Sequence, residues 1–278
     1  MKIFVSGGTG FIGSHFLSKA LIAGHEVIAL RREGSSPRVA LGTHPRWLVK
    51  EMSEVTEEDL RGIEVLVHLA AHSANVPYDK LSECLRWNVW EPCALFEKAI
   101  KAGVRRFIIA GSCFEYGKSG ERYEFIPPDA PLEPTQSYPI SKAAASIALT
   151  GLARGKKLEM LILRIFQVFG EGEQESRFWP SLQKAARSGE DFPMTAGGQV
   201  RDFVPVETVA EIFVAALART DLRAGEPKIE NVGTGKPQTL RAFAEFWWKQ
   251  WSAKGKLKFG AVPHRPNEVM RYVPEIPG

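Results

Sequence analysis

Over the first hundred residues, short apolar runs alternate with stretches of helical periodicity. Residues 3–6 form a continuous apolar run that ends in glycines, the pattern of a strand buried on both faces. Phe11, Ile12, Phe16, Leu17, Ala20 and Leu21 then recur at helical spacing over 11–23, and Gly24 stops the helix. Further strands are predicted at 26–30, 46–49, 65–69 and 106–110. A long helix is predicted over 78–102, with Pro92 kinking or breaking it and Gly103 ending it. This alternation implies right-handed crossovers and a parallel sheet covered on both faces. The predicted fold class is α/β, a doubly wound parallel sheet.

After Gly117 the pattern changes. Residues 118–137, rich in Pro, Glu and Ser, read as a long loop. A helix over 138–153 and a strand over 159–165 then complete the predicted sheet. Beyond it, Gly170-Glu171-Gly172, Gly197-Gly198 and Gly233-Thr234-Gly235 separate helices predicted near 178–188, 206–219 and 239–251. Such interrupted segments suit a smaller lobe beside the sheet, with the chain crossing between lobes more than once.

Composition narrows the function classes. The 278 residues are 44% hydrophobic and 24% charged, so disorder is not expected. The 36 basic and 32 acidic side chains leave a net charge of only +4, too small to predict a nucleic-acid footprint. The three cysteines, Cys84, Cys93 and Cys113, have neither disulfide nor metal-ligand spacing, which suits a reducing compartment. No apolar run approaches the roughly 18 residues of a membrane span, and the apolar start is too short for a signal peptide. A soluble, cytoplasmic protein is expected.

The chemistry begins at Gly7-Gly8-Thr9-Gly10-Phe11-Ile12-Gly13, between the first strand and the first helix. Glycines at Gly7, Gly10 and Gly13 permit a tight turn, close approach to a pyrophosphate at the helix N-terminus, and close packing of helix on sheet. That context makes this a dinucleotide site. An acid closing the second strand would accept hydrogen bonds from the ribose of NAD. Here the strand closes on Arg31-Arg32, whose guanidinium groups suit a 2′-phosphate, so NADP(H) is favoured over NAD(H). Glu33 dissents but comes late.

Tyr138 and Lys142 are four apart in a helix and share a face. A phenol is a poor acid at neutral pH unless its anion is stabilised, which an ammonium can do. Ser112 closes the fifth strand, where open α/β sheets bind ligands. His68 and His72 have metal-like spacing, but no thiol or carboxylate joins them and no metal site is expected. Leu240, Phe243, Trp247 and Trp251 line one helix face as core; Phe246 and Trp248 point elsewhere and suggest a contact surface.

With these residues in this order, the sequence resembles the extended short-chain dehydrogenase/reductases, in particular the nucleotide-sugar epimerase, dehydratase and reductase group. The resemblance covers nearly the whole chain. It rests further on His68-Leu69-Ala70-Ala71, Asn88, Gly111-Ser112-Cys113-Phe114-Glu115-Tyr116-Gly117, Arg164, Gly170-Glu171-Gly172 and Arg201-Asp202-Phe203-Val204. It implies a dinucleotide-binding Rossmann domain over 1–165, with part of 201–226 packing back on it, and a mostly substrate-binding lobe over 166–278. It implies that Tyr138 is the acid/base, that Lys142 lowers its pKa and holds the nicotinamide ribose, and that Ser112 hydrogen-bonds the reacting oxygen. Leu69, Ala70 and Ala71 would wall the cofactor, with His72 beside the substrate. Glu51, with Met52, would stand in for the Asp that usually holds the adenine amine. Gln167 stands where the family commonly has a substrate-contacting Asn. Arg201 and Arg265 would clamp the substrate diphosphate, and Arg177 is a further candidate. The resemblance also implies a homodimer through the helices at 78–102 and 138–153.

Within that group, sugar 4,6-dehydratases carry Asp-Glu directly after the serine, where this chain has Cys113-Phe114. Fucose-type epimerase–reductases carry a Cys two places after it, where this chain has Phe114. Both reactions are disfavoured. The arginine pair then favours an NADPH-dependent reductase of a nucleotide-linked 4-keto-6-deoxy sugar over an NAD-dependent nucleotide-sugar 4-epimerase. The serine segment also resembles that of deoxysugar (CDP-abequose-type) synthases. A non-catalytic NADP-sensing protein is a further alternative, disfavoured by the intact Ser112, Tyr138 and Lys142. Finally, residues 249–278 hold six basic against two acidic side chains, so the net charge lies in the segment expected to close over an acidic diphosphate. Relatives usually continue into one more helix, so this end is expected to be compact or trimmed.

Overall fold

The computed structural model describes residues 1–264 and 268–276. Seven parallel strands form the central sheet: β1 (Lys2–Ser6), β2 (Glu26–Arg31), β3 (Arg46–Val49), β4 (Val65–His68), β5 (Arg106–Ser112), β6 (Glu159–Ile165) and an edge strand, Lys228–Val232. Their spatial order is edge strand, β6, β5, β4, β1, β2, β3. The doubly wound α/β class is therefore observed. The order reverses at β1, and ligands in such sheets bind at the carboxyl ends beside that reversal.

The edge strand is a correction, since the sheet does not end at β6. Lys228–Val232 pairs in parallel with Leu161–Ile165. It has no apolar run because only its last two residues are buried. One of these, Asn231, is polar and donates to the Ile126 carbonyl.

One face of the sheet carries α1 (Phe11–Ile22). The other carries α2 (Leu81–Leu85), α3 (Glu91–Lys101) and α4 (Ser137–Lys156). The predicted 78–102 helix is helical without a gap over residues 81–101, and Pro92 interrupts only its regularity: the turn before it, Arg86–Trp90, is a π-turn, which accommodates the hydrogen bond that a residue without an N–H cannot make. The chain then supplies α5 (Phe178–Ser188), α6 (Val206–Ala216) and α7 (Leu240–Gln250).

The apolar interior falls into layers. Ile3, Val5, Phe16, Leu17, Val67 and Phe213 lie in one cluster, and Phe4, Leu66, Phe96, Phe107 and Ile162 in the other. Alternate residues of β1 therefore point to opposite faces. Phe213 belongs to α6, which packs against α1 and so returns to the sheet. The helices α5 and α7 form a separate aromatic layer, where Phe243 stacks on Phe203 at 3.9 Å between ring centroids and Trp247 stacks on Trp251 at 5.1 Å. Trp248 is tied to the Gly255 carbonyl, and Phe246 is exposed.

Candidate active site

A cleft of about 1190 Å³ opens along the carboxyl ends of β1, β2, β4, β5 and β6. Single small-ligand sites usually measure roughly 300–1,000 Å³. Its floor is the loop from β1 to α1. Gly7 has φ of +82°, and a Cβ there would lie 2.3 Å from the Ala70 nitrogen. A Cβ on Gly13 would lie 2.0 Å from the Gly7 carbonyl oxygen. Gly10 is the N-cap of α1 and offers no capping side chain, so the first amides of the helix, from Phe11, Ile12 and Gly13, have no intrahelical acceptor. A backbone cradle that any side chain would fill, lined with free N–H groups, fits a dinucleotide pyrophosphate.

At the end of the cleft beside β2 and β3, Arg31, Arg32, Lys50, Glu51 and Met52 line it, joined by Arg38. The Arg31 guanidinium lies 4.9 Å above the Trp47 ring, while Lys50 is paired with Asp59 at 2.7 Å. Glu51 shares a capping box with Glu54, so its carboxylate is partly committed to its own turn. Arg38 has no counterpart among the sequence-derived candidates, because its loop lacks any periodic signal. Its backbone N–H donates to Ser14 Oγ at 2.8 Å, and a Cβ on Gly172 would touch its Cβ at 3.0 Å. These contacts fold the loop back over the cleft.

Leu69, Ala70 and Ala71 continue β4 along the middle of the cleft. His72 follows and is braced from two sides. Its backbone exchanges hydrogen bonds with the Asn88 side chain, and its Nε2 lies 3.0 Å from Asp79 Oδ2. Asn88 also donates to Ser141 Oγ at 2.9 Å, which ties this wall to α4. His68 is buried against Ser6, and burial with the nearby Lys142 charge pushes its pKa down to about 3. Among the described residues, no group of three His, Cys, Asp or Glu side chains is arranged to hold a metal ion.

Ser112 ends β5, and Tyr138 and Lys142 lie on the first turns of α4, all three lining the cleft. Burial raises the Tyr138 phenol above its usual range, and a hydrogen bond with Ser112 opposes that rise. Lys142 donates to the Ala110 carbonyl at 2.7 Å, and burial lowers its pKa. The Tyr78 ring lies 5.4 Å from that of Tyr138. Cys113 and Phe114 line the cleft beside Ser112, and burial pushes the Cys113 thiol up to about 12, so it is no nucleophile at neutral pH.

At the far end, Gln167 and Arg177 also line the cleft, with Glu173, Gln174 and Asn75. Arg177 Nε donates to Glu173 at 3.1 Å and its NH1 to Asn75 Oδ1 at 3.1 Å, while Asn75 donates to Gln174. Arg201 is not brought into this lining. It donates to the Val200 and Val269 carbonyls at 2.9 and 2.7 Å and lies 3.6 Å from Glu268. Arg265 lies outside the described residues. Asn75, Tyr78, Glu173 and Gln174 escaped the sequence reading because they sit on loops with no periodicity or motif spacing.

The geometry offers a dinucleotide cradle leading to a phenol–hydroxyl pair, a combination suited to moving a proton at a carbonyl or alcohol oxygen. The sequence matches the model of the NAD dependent epimerase/dehydratase family over residues 3–233. It is 27% identical over 271 residues to a CDP-abequose synthase of Salmonella muenchen, covering 97% of this chain and 87% of that one. It is 28% identical over 265 residues to a UDP-glucose 4-epimerase of Corynebacterium glutamicum, covering 88% and 79%. Its fold superposes with a TM-score of 0.86 on an NAD-dependent NDP-hexosamine 5,6-dehydratase involved in tunicamycin biosynthesis. That protein is 26% identical, and the match covers 99% of this chain and 89% of the other.

Proposed function

The chain belongs to the NAD dependent epimerase/dehydratase family, and from that premise we propose that it is an NADPH-dependent reductase of a nucleotide-linked 4-keto-6-deoxy sugar. The observation that carries the cofactor half is the cluster of Arg31, Arg32 and Arg38 along the adenosine end of the cleft. Guanidinium groups pair with a phosphomonoester in two-point fashion. A reduced cofactor that is consumed and exchanged belongs to a reductase, whereas an epimerase returns its hydride to the same sugar.

The bound cofactor supplies hydride to the carbonyl carbon. Ser112 hydrogen-bonds the carbonyl oxygen and orients it, and Tyr138 gives that oxygen its phenolic proton as the C–O double bond becomes single. Lys142, with two donor hydrogens beyond the one given to Ala110, would hold the ribose and steady the phenolate. Phe114 and Cys113 lie beside Ser112 without an ionisable group suited to expelling water, which supports reduction over dehydration. The apolar ring of Phe114 suits a deoxygenated carbon. Arg177, at the start of α5, suits the substrate diphosphate, with Gln167 near the sugar. In this reading the sheet-bearing part of the chain, with α6, carries the cofactor, and the layer of α5 and α7 closes over the substrate.

A second copy of the chain is part of the proposal. Leu81, Trp90 and Ile147 are exposed apolar side chains on the α2–α3 and α4 side, with Trp90 at 73% exposure. Pairing across a two-fold would cover them.

The test is incubation with NADPH and a panel of nucleotide 4-keto-6-deoxy sugars, following absorbance of the reduced cofactor. Consumption of NADPH with one panel member supports the reductase. Interconversion of a nucleotide hexose without net consumption makes the protein a 4-epimerase instead, the activity named for one of its relatives.

A further inference from the structure

Glu115 takes no part in the proton transfer, yet it is completely buried. Carboxylates almost never reach that state unless they are paired. Its Oε1 accepts the backbone N–H of Ser112 at 2.8 Å, and its Oε2 accepts from Ser146 Oγ at 2.7 Å and Arg164 Nε at 2.8 Å. Arg164 is itself buried, donates NH1 to the Pro128 carbonyl at 2.8 Å, and lies 4.7 Å above the Tyr116 ring. Tyr116 in turn donates to Asn231 on the edge strand at 2.6 Å. A Cβ on Gly111 would come within 3.0 Å of both Arg164 Cγ and Glu115 Oε1, so glycine there makes room for the pair.

A structural ion pair is a weak device for stability, because desolvating both charges offsets most of their attraction. This one sits directly behind the proton-transfer residues, and its surroundings hold a second buried cation. Lys142 loses solvent on α4, and Glu115 is the carboxylate whose charge favours its ammonium form. The other groups around the two are His68 on β4, held neutral, Tyr138 on α4, and Cys113 and Tyr116 on the turn after β5, whose thiol and phenol burial each push up to about 12. Arg164 on β6 is the direct counter-ion of Glu115, and Arg177 and Arg201 reach Cys113 only through their fields.

We propose that Glu115 is a positioning residue of the proton-transfer site: it fixes Ser112 by its backbone N–H and, held by Ser146 one helical turn from Lys142, keeps a buried carboxylate on the face of α4 that carries Lys142. The inference rests on the reading of Ser112, Tyr138 and Lys142 as the proton-transfer set. It does not depend on which sugar is reduced.

The test is a pH titration of lysine Nζ by nitrogen-15 NMR in the full-length protein without ligand. The Lys142 signal is assigned by its loss in Lys142→Met. In Glu115→Gln, which keeps the side-chain shape but not the charge, Lys142 is expected to titrate about one pH unit or more lower than in the unmodified protein. Glu115→Asp, which keeps the charge, should restore most of that shift. A folded Glu115→Gln variant in which Lys142 titrates as before overturns the proposal and leaves Glu115 a purely structural acid. If leaving Arg164 unpaired prevents folding, the double variant Glu115→Gln/Arg164→Gln removes both charges together and is held to the same two outcomes. A Lys142 shift in a protein that reduces no 4-keto sugar leaves this inference standing and removes only the reductase reading.

Discussion

Lys142 directs its ammonium group at the carbonyl oxygen of Ala110, 2.7 Å away, so that the helix bearing Tyr138 is pinned to the strand bearing Ser112. The contact joins α4 to β5 two residues before the strand ends, and it fixes the distance between the phenol and the hydroxyl. Burial lowers the Lys142 pKa, so its charge is held at a cost that the carbonyl partly offsets.

Tyr138→Phe therefore should reduce turnover about 10²–10⁴-fold, the range for losing a positioned general acid, with cofactor affinity unchanged. Lys142→Met should lose turnover and cofactor affinity together, while stability should change little, because the lost bond to the Ala110 carbonyl and the relieved cost of burying a charge oppose each other. Steady-state kinetics, cofactor fluorescence titration and thermal unfolding separate the three effects. Unchanged turnover in Tyr138→Phe would remove the mechanism.

The adenosine end makes an independent prediction. Arg31 and Arg32 line it with Arg38, and a hydrogen bond to a charged group contributes about 1.5–3 kcal/mol. Arg31→Ala/Arg32→Ala should weaken NADPH by at least roughly tenfold while leaving NADH binding nearly unaltered. Arg38→Ala should do the same to a smaller degree. Equal losses for both cofactors would remove the reason for preferring a reductase.

Gly13→Ala tests the cradle itself. The added Cβ would sit 2.0 Å from the Gly7 carbonyl oxygen, backbone that cannot move without displacing the turn. The variant should lose dinucleotide binding and unfold at a lower temperature. Gly24→Ala, with nothing within 4 Å but φ of +78°, should lose stability through strain alone and keep its binding.

What was legible in the sequence follows from which interactions are local. The Gly7–Gly13 loop, Ser112 and the Tyr138/Lys142 pair were readable because each depends on spacing along one strand or helix. Pro92 announced an irregularity in the long helix, although not that a π-turn would absorb it without breaking the helix. The edge strand was not readable, because Lys228–Val232 is strand by virtue of pairing with β6 rather than by its own pattern. Arg201 illustrates the same limit from the other side. Its motif was visible, but its hydrogen bond to Val269 depends on a strand that returns some seventy residues later. Glu173 meets Arg177 from four residues upstream, but Asn75 meets it only because the loop after β4 converges on the start of α5.

Glu173 gives the last prediction, and its sign follows from burial. Its side chain is 4% exposed, its Oε2 has no partner, and burial raises its pKa to about 7 despite the adjacent Arg177. A carboxyl whose pKa is higher in the folded chain binds its proton more tightly there than when unfolded. Its stabilising contribution is thus complete below its ordinary value of 4.5 and is lost as pH rises through about 7. Glu173→Gln, which is neutral throughout, should abolish this part of the pH dependence. The variant should be more stable than the unmodified protein at pH 8, by a few kcal/mol at most, and nearly equal to it at pH 4. Denaturant unfolding at the two pH values measures both quantities. A variant less stable at pH 8 would mean that the charged pair with Arg177 outweighs the cost of burying the carboxylate.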